Sequence, residues 1–135
     1  MKIDHDCVRD ILIWLEENQR MESSYGGSLT GRTNYIMSTE IAHSITGHQK
    51  EDIFYSIKQM IDCGLLNAIS MGADGAGWYR IVDITPYGHE FLGNIRNPEN
   101  WTKAKSFATK IGAVTIDALC KIAGSMIAEL IKSRM

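Results

Sequence analysis

The chain has 135 residues and a mass of 15.1 kDa, with 44% hydrophobic and 22% charged residues, which suits one domain of ordinary size, or a small domain plus a helical element, and excludes a disordered or fibrous chain. Fourteen basic and sixteen acidic side chains leave a formal net charge of −2, so no global field draws the protein onto DNA or an acidic membrane, and nucleic-acid binding would need a local basic patch. The opening MKIDHDCVRD is unlike a secretory signal, no window reaches the roughly 18 apolar residues of a membrane span, and the three separated cysteines Cys7, Cys63 and Cys120 fit buried thiols in a reducing cytoplasm.

Asp4 precedes Cys7, Val8, Ile11, Leu12 and Leu15, which share one helix face. Asp4 is the expected N-cap, Asp6 suits the positive end of the dipole, and the helix is expected to fade near Arg20 or Met21. The stretch SSYGGSLTGRTN (residues 23–34) is rich in Gly, Ser and Thr and reads as a loop. With Arg32 following Gly31 it lacks the spacing of a phosphate-binding loop. Tyr35-Ile36-Met37 reads as a short strand. A short helix capped by Ser38 follows, with Ile41, Ala42 and Ile45 inward and Gly47 at its end. The next helix is expected from about His48 to Cys63, with Ile53, Phe54, Ile57, Met60 and Ile61 at helical spacing and Gly64 closing it. Leu65–Met71 and Trp78–Ile84 read as two strands joined by the glycine-rich turn Gly72–Gly77. Thr85 and Pro86 then open a helix running through Phe91, Leu92 and Ile95.

Composition changes at the Asn97-Pro98 step. Residues 1–97 hold eight basic and thirteen acidic side chains, whereas residues 98–135 hold six and three. Proline disfavours helix in the residue before it and suits the first turn of a new one. The expected organisation is therefore a domain at 1–97 and a C-terminal helical extension at 98–135. From Thr115 an apolar stripe runs through Ile116, Leu119, Ala123, Met126, Ile127 and Leu130. Two fates compete for it: pairing with a second copy, which would make these six residues the interface of a homodimer, or folding back onto the first helix of the same chain. Its polar face is not basic enough for a membrane surface, and no membrane partner is expected.

The order helix, short strand, short helix, turn, helix, hairpin, helix is that of a winged helix-turn-helix. The segment Ile84-Thr85-Pro86-Tyr87-Gly88-His89-Glu90-Phe91-Leu92 is similar to the strand exit and helix of many winged-helix regulators. The expected fold class is mainly α with a small β-hairpin, a winged helix-turn-helix plus a C-terminal helical extension. The opening Lys2–Leu12, the stretch Gly88–Arg96 and Trp101–Lys105 resemble a bacterial and phage family, domain-of-unknown-function family 2513. That resemblance implies a prophage or mobile-element origin. It supplies no catalytic residues.

In a winged helix the helix from about His48 to Cys63 enters the major groove, and the hairpin touches the backbone. The candidate DNA-binding residues are Thr39, Gln49, Lys50, Tyr55, Ser56, Lys58, Gln59 and Arg80. Gln, Ser and Lys read base edges, and basic groups neutralise phosphates. Against this, Glu51, Asp52 and Asp62 outnumber the two lysines of the helix, and the hairpin tip carries Asp74. The expectation is a cytoplasmic, dimeric DNA-binding regulator with double-stranded DNA as partner. The alternative is a winged-helix module that binds a host or phage protein, for example as a defence-system inhibitor. Lys103, Lys105 and Lys110 could add phosphate contacts.

No enzyme, metal or cofactor is expected. His43 and His48 flank a turn with Cys63 distant, a poor match to the three or four ligands of a zinc site. His5 beside Asp6 and His89 beside Glu90 point apart on a helix, as neighbours in sequence do, and read as structural.

Overall fold

In the computed structural model, which describes residues 2–23, 26–27, 29–72, 78–112 and 115–134, the apolar spacing after Asp4 becomes helix α1 (His5–Asn18). Asp4 Oδ1 accepts from the Cys7 amide at 3.2 Å, the expected cap. Cys7, Val8, Ile11, Leu12 and Leu15 are buried. The next segment departs from expectation: Met21–Ser23 (β1) pairs antiparallel with Leu29–Thr33 (β2), so a hairpin stands where a loop was expected. All of β1 is exposed, so it needs no apolar alternation and leaves none to read. The base of the hairpin is tied at Asn34, whose amide donates to Arg20 O at 2.8 Å and whose side chain donates to Asn18 O at 3.1 Å.

Strand β3 (Ile36–Met37) leads directly into α2 (Ser38–Ser44), and α3 (Lys50–Asp62) follows a short turn. Ser38 is not the cap of α2. Met37 holds that position, and the buried Ser38 hydroxyl accepts from the Tyr79 amide at 3.2 Å, fastening α2 to the sheet. Strands β4 (Leu66–Ser70) and β5 (Tyr79–Ile84) pair antiparallel as expected, and β5 also pairs antiparallel with β3, giving the order β3-β5-β4. Residues 73–77 of the expected glycine turn, including Asp74, lie outside the described residues.

A register shift between Asn67 and Ala68 leaves Val82 without a partner on β4, so Ile81 and Ile84 both face the core. The Val82 carbonyl is used instead by Gln19 Nε2 at 2.8 Å and by Thr33 Oγ1. The bulge is thus where the first helix and the hairpin join the main sheet.

Helix α4 (Pro86–Ile95) begins with Thr85 as cap, accepting from the Gly88 amide at 2.9 Å. Asn97 caps α5 (Pro98–Ile111), accepting from the Glu99 amide at 2.8 Å, and Thr115 caps α6 (Ile116–Ser133), accepting from the Ala118 amide at 3.1 Å. The chemistry at Asn97-Pro98 marks a change of helix and not an edge of the core. Trp101, Ala104, Ala108, Ile116, Leu119, Cys120 and Ala123 belong to the same buried cluster as α1, α3 and the sheet. Among the described residues no helix is long and apolar enough to cross a membrane.

Candidate nucleic-acid interface

Helix α3 turns Ile53, Ser56, Ile57 and Met60 inward, against α1 and α2. Ser56 therefore cannot read a base edge: its side chain is 1% exposed. It sits beside Cys7, whose thiol burial pushes up to about 11. Facing outward are Lys50, Glu51, Lys58 and Asp62, with Asp52, Tyr55 and Gln59 half-buried. Lys58 Nζ lies 3.1 Å from Asp62 Oδ2, one turn along, and this pairing holds the ammonium above its ordinary value. Gln49 is the N-cap of α3 and makes no capping bond through its side chain, so its amide remains available at the exposed end of the helix. Thr39 is half-buried on α2.

Arg80 is also placed differently from expectation. Its guanidinium lies 4.9 Å from the centre of the Tyr35 ring, and Nη2 donates to Thr33 O at 3.2 Å. It clamps β5 to β2 and is not a free phosphate contact. The face of the sheet that carries it is apolar. Ile69 stands opposite Arg80 in the β4–β5 register, and strand alternation adds Met71 and Trp78 to the same face. Ile69, Trp78 and Tyr35 are each at least half exposed.

The turn before α3 is held by a cluster that sequence spacing did not reveal. His48 Nε2 is 2.7 Å from Asp10 Oδ2, and Nδ1 is 3.5 Å from Asp4 Oδ2. Burial disfavours the charged ring, but the hydrogen bond to Asp10 and the charges of Asp10, Asp4 and Asp6 outweigh it, so the His48 pKa is raised. The start of the exposed helix is thereby tied to the start of α1. Among the described residues no group of three or more His, Cys, Asp or Glu is arranged to hold a metal ion.

Asp6 secures the other side of α1, accepting from Trp101 Nε1 at 2.8 Å and from Lys105 Nζ at 2.7 Å. Burial alone would raise its pKa, but these two donors lower it. Lys105 is consequently paired within the chain. Arg9 donates to the carbonyls of Ile95 and Arg96 at the end of α4, and Arg96 forms a two-point ion pair with Glu16. Tyr87 donates to Asp117 Oδ1 at 2.9 Å, joining α4 to α6.

Of the residues expected at a dimer interface, Ile116, Leu119 and Ala123 are covered by α4 and α5 of the same chain. The stripe folds back as its second expected fate, but onto these helices and not onto α1. Met126, Ile127 and Leu130 are half-buried. Beside them runs an open groove of about 940 Å³ between α5 and α6, lined by Phe107, Ile122, Met126 and Leu130, with Lys103, Lys110, Lys121 and Glu129 along it.

The chain belongs to the family described as hypothetical protein (DUF2513), whose model matches residues 2–115. The match crosses Asn97-Pro98 and includes all of α5, consistent with a core that does not stop at residue 97. The chain is 27% identical over 132 residues, 97% of its length and 99% of the relative's, to an uncharacterized protein of Haemophilus influenzae. No solved structure matches.

Proposed function

We propose that this chain is a winged helix-turn-helix DNA-binding regulator of the phage or prophage type, working as two copies, with α3 in the major groove and the β4–β5 hairpin beside the backbone. The observation that carries this reading is the order α1, the β1–β2 hairpin, β3, α2, α3, β4, β5 with β5 central in its sheet, together with the outward placement of Lys50 and Lys58 on α3. The phage context rests on the family resemblance alone. Thr39, Gln49, Lys50, Tyr55, Lys58 and Gln59 are the contacts retained; Ser56 and Arg80 have roles inside the fold. With two lysines per copy, two copies neutralise about four phosphates, so the logarithm of affinity should fall with log salt with a slope of about −3.6. Fluorescence anisotropy on a labelled duplex from the gene's own upstream region measures this. The paired change Lys50→Glu and Lys58→Glu should remove binding while the helical spectrum stays unchanged. Unchanged affinity in that variant would reject α3 as the reading helix.

A specific observation also supports a second reading, a protein-binding winged helix that inhibits or adapts a host protein. The sheet face bearing Ile69, Met71 and Trp78 is exposed and apolar, and α3 presents Glu51, Asp52 and Asp62 against two lysines. Under this reading duplex DNA is ignored at low salt, and Trp78→Ser abolishes retention of one defined host protein that the wild type captures.

A further inference from the structure

We propose that the groove between α5 and α6 is closed by α6 of a second copy, running antiparallel about a two-fold axis at Ser125. The proposal deepens the two-copy element of the proposed function and does not depend on DNA binding. The groove is apolar along its floor, and Phe107 on its α5 wall remains half exposed, a large ring left in water by this chain alone. The first half of the stripe expected for dimerisation is not available, because Ile116, Leu119 and Ala123 are already inside the core. The groove is lined on α6 by Met126 and Leu130, from the half-buried second half of that stripe, together with Ile122 and the adjoining row Lys121, Ser125 and Glu129.

Charge decides both the occupant and its direction. Lys121, Ser125 and Glu129 are spaced four apart on α6 and all line the groove, so they lie in one row along the helix. A two-fold axis at Ser125 sets Lys121 against Glu129 of the partner subunit, and by symmetry the reverse pair forms as well. Asp117 then lies opposite the end of the partner helix, between the partner's Lys132 and the partner's Arg134. Antiparallel helix dipoles add to the match. A parallel arrangement would instead set lysine against lysine and glutamate against glutamate. Within the chain, Lys121 pairs with Asp117 at 3.1 Å one turn away, both exposed. Among the described residues Lys110 and Glu129 make no ion pair. Ser125, small and exposed at the midpoint, lets the two backbones approach.

Sedimentation equilibrium of the full chain tests this with four proteins: wild type, Lys121→Glu, Glu129→Lys and the double exchange. The wild type should dimerise. Each single reversal places two like-charge pairs across the interface and should weaken the dimer by about tenfold or more. The double exchange restores both pairs and should return the dimer to near wild-type strength. Both positions are exposed, so circular dichroism should match the wild type throughout. A monomeric wild type, single reversals that dimerise as the wild type does, or a double exchange no stronger than the singles would each overturn the arrangement. A wild type that passes this series yet ignores duplex DNA overturns the DNA reading alone.

Discussion

Gly88 occupies a position that no other side chain can share. A β-carbon there would lie 2.3 Å from the Leu65 carbonyl oxygen and 2.7 Å from Ile84 Cγ2. That carbonyl already accepts from the Thr85 amide at 3.0 Å and from the Thr85 hydroxyl at 3.1 Å, so it is not free to move. The Thr-Pro-x-Gly phrase is therefore a joint: Thr85 caps the helix and Gly88 lets it lie against the strand entry. Gly88→Ala should cost about 1–3 kcal/mol, measured by urea denaturation. Gly93, five residues further on the same helix, meets nothing within 4 Å, so Gly93→Ala should instead stabilise by up to about 1 kcal/mol. Equal effects at the two positions would remove the steric account.

His48 gives a second residue-scale prediction. Its pKa in the folded protein is raised above the ordinary 6.5 by Asp10 and Asp4, which face it from α1 and its N-cap, with Asp6 adding a weaker field. The stabilisation it supplies is complete below the ordinary value and is lost as pH rises through the raised one. The stability difference between wild type and His48→Gln should therefore be larger near about pH 5.5 than near about pH 8.5, read by urea midpoints at both. A difference independent of pH would mean that packing, and not charge, holds this turn.

At the scale of elements, α6 separates what periodicity can say from what it cannot. Its three-and-four spacing announces a covered stripe, and Ile116, Leu119 and Ala123 are indeed covered. The spacing does not name the cover. Helix α5 had its own line of Trp101, Ala104 and Ala108, spaced by three and four, and that was the readable sign of an intramolecular partner. Ser56 failed for a related reason: by phase it falls between Ile53 and Met60 on the inner arc, and its polarity pointed the wrong way. Arg80 and His48 are paired with residues far off in sequence, which spacing along one element does not encode. By contrast α1, α3, α4 and the β4–β5 pair were legible, because each carries its own apolar face and its own caps or glycines. Leu119 provides the test. It is wholly buried, so Leu119→Ala should cost about 2–5 kcal/mol, and Leu119→Asp should unfold the chain instead of producing a folded monomer. A folded, monomeric Leu119→Asp protein in sedimentation and circular dichroism would return this residue to a dimer interface.

For the whole molecule, the question is whether residues 98–135 are an appendage or part of the fold. The charge difference across Asn97-Pro98 suggests two parts. The packing favours one, since α5 and α6 pack on α4, and Trp101 and Lys105 both donate to Asp6 in the first turn of α1. Trp101, Ile116 and Leu119 are each at least 96% buried, and burying such side chains is worth about 1.5–3 kcal/mol apiece. Three of them approach the entire stability of an ordinary domain, about 5–15 kcal/mol. The loss also leaves the Asp6 carboxylate, in the first turn of α1, without either of its donors. A chain ending at Asn97 should accordingly show no cooperative urea transition and a weak near-ultraviolet dichroism signal. In the intact protein Trp101→Phe, which keeps most of the ring but not the N–H, should lower stability by about 1–3 kcal/mol and leave the transition cooperative. If the truncated chain unfolds cooperatively with native near-ultraviolet dichroism, the first 97 residues are a self-sufficient domain, and the continuous core described above is a contact between two independent units.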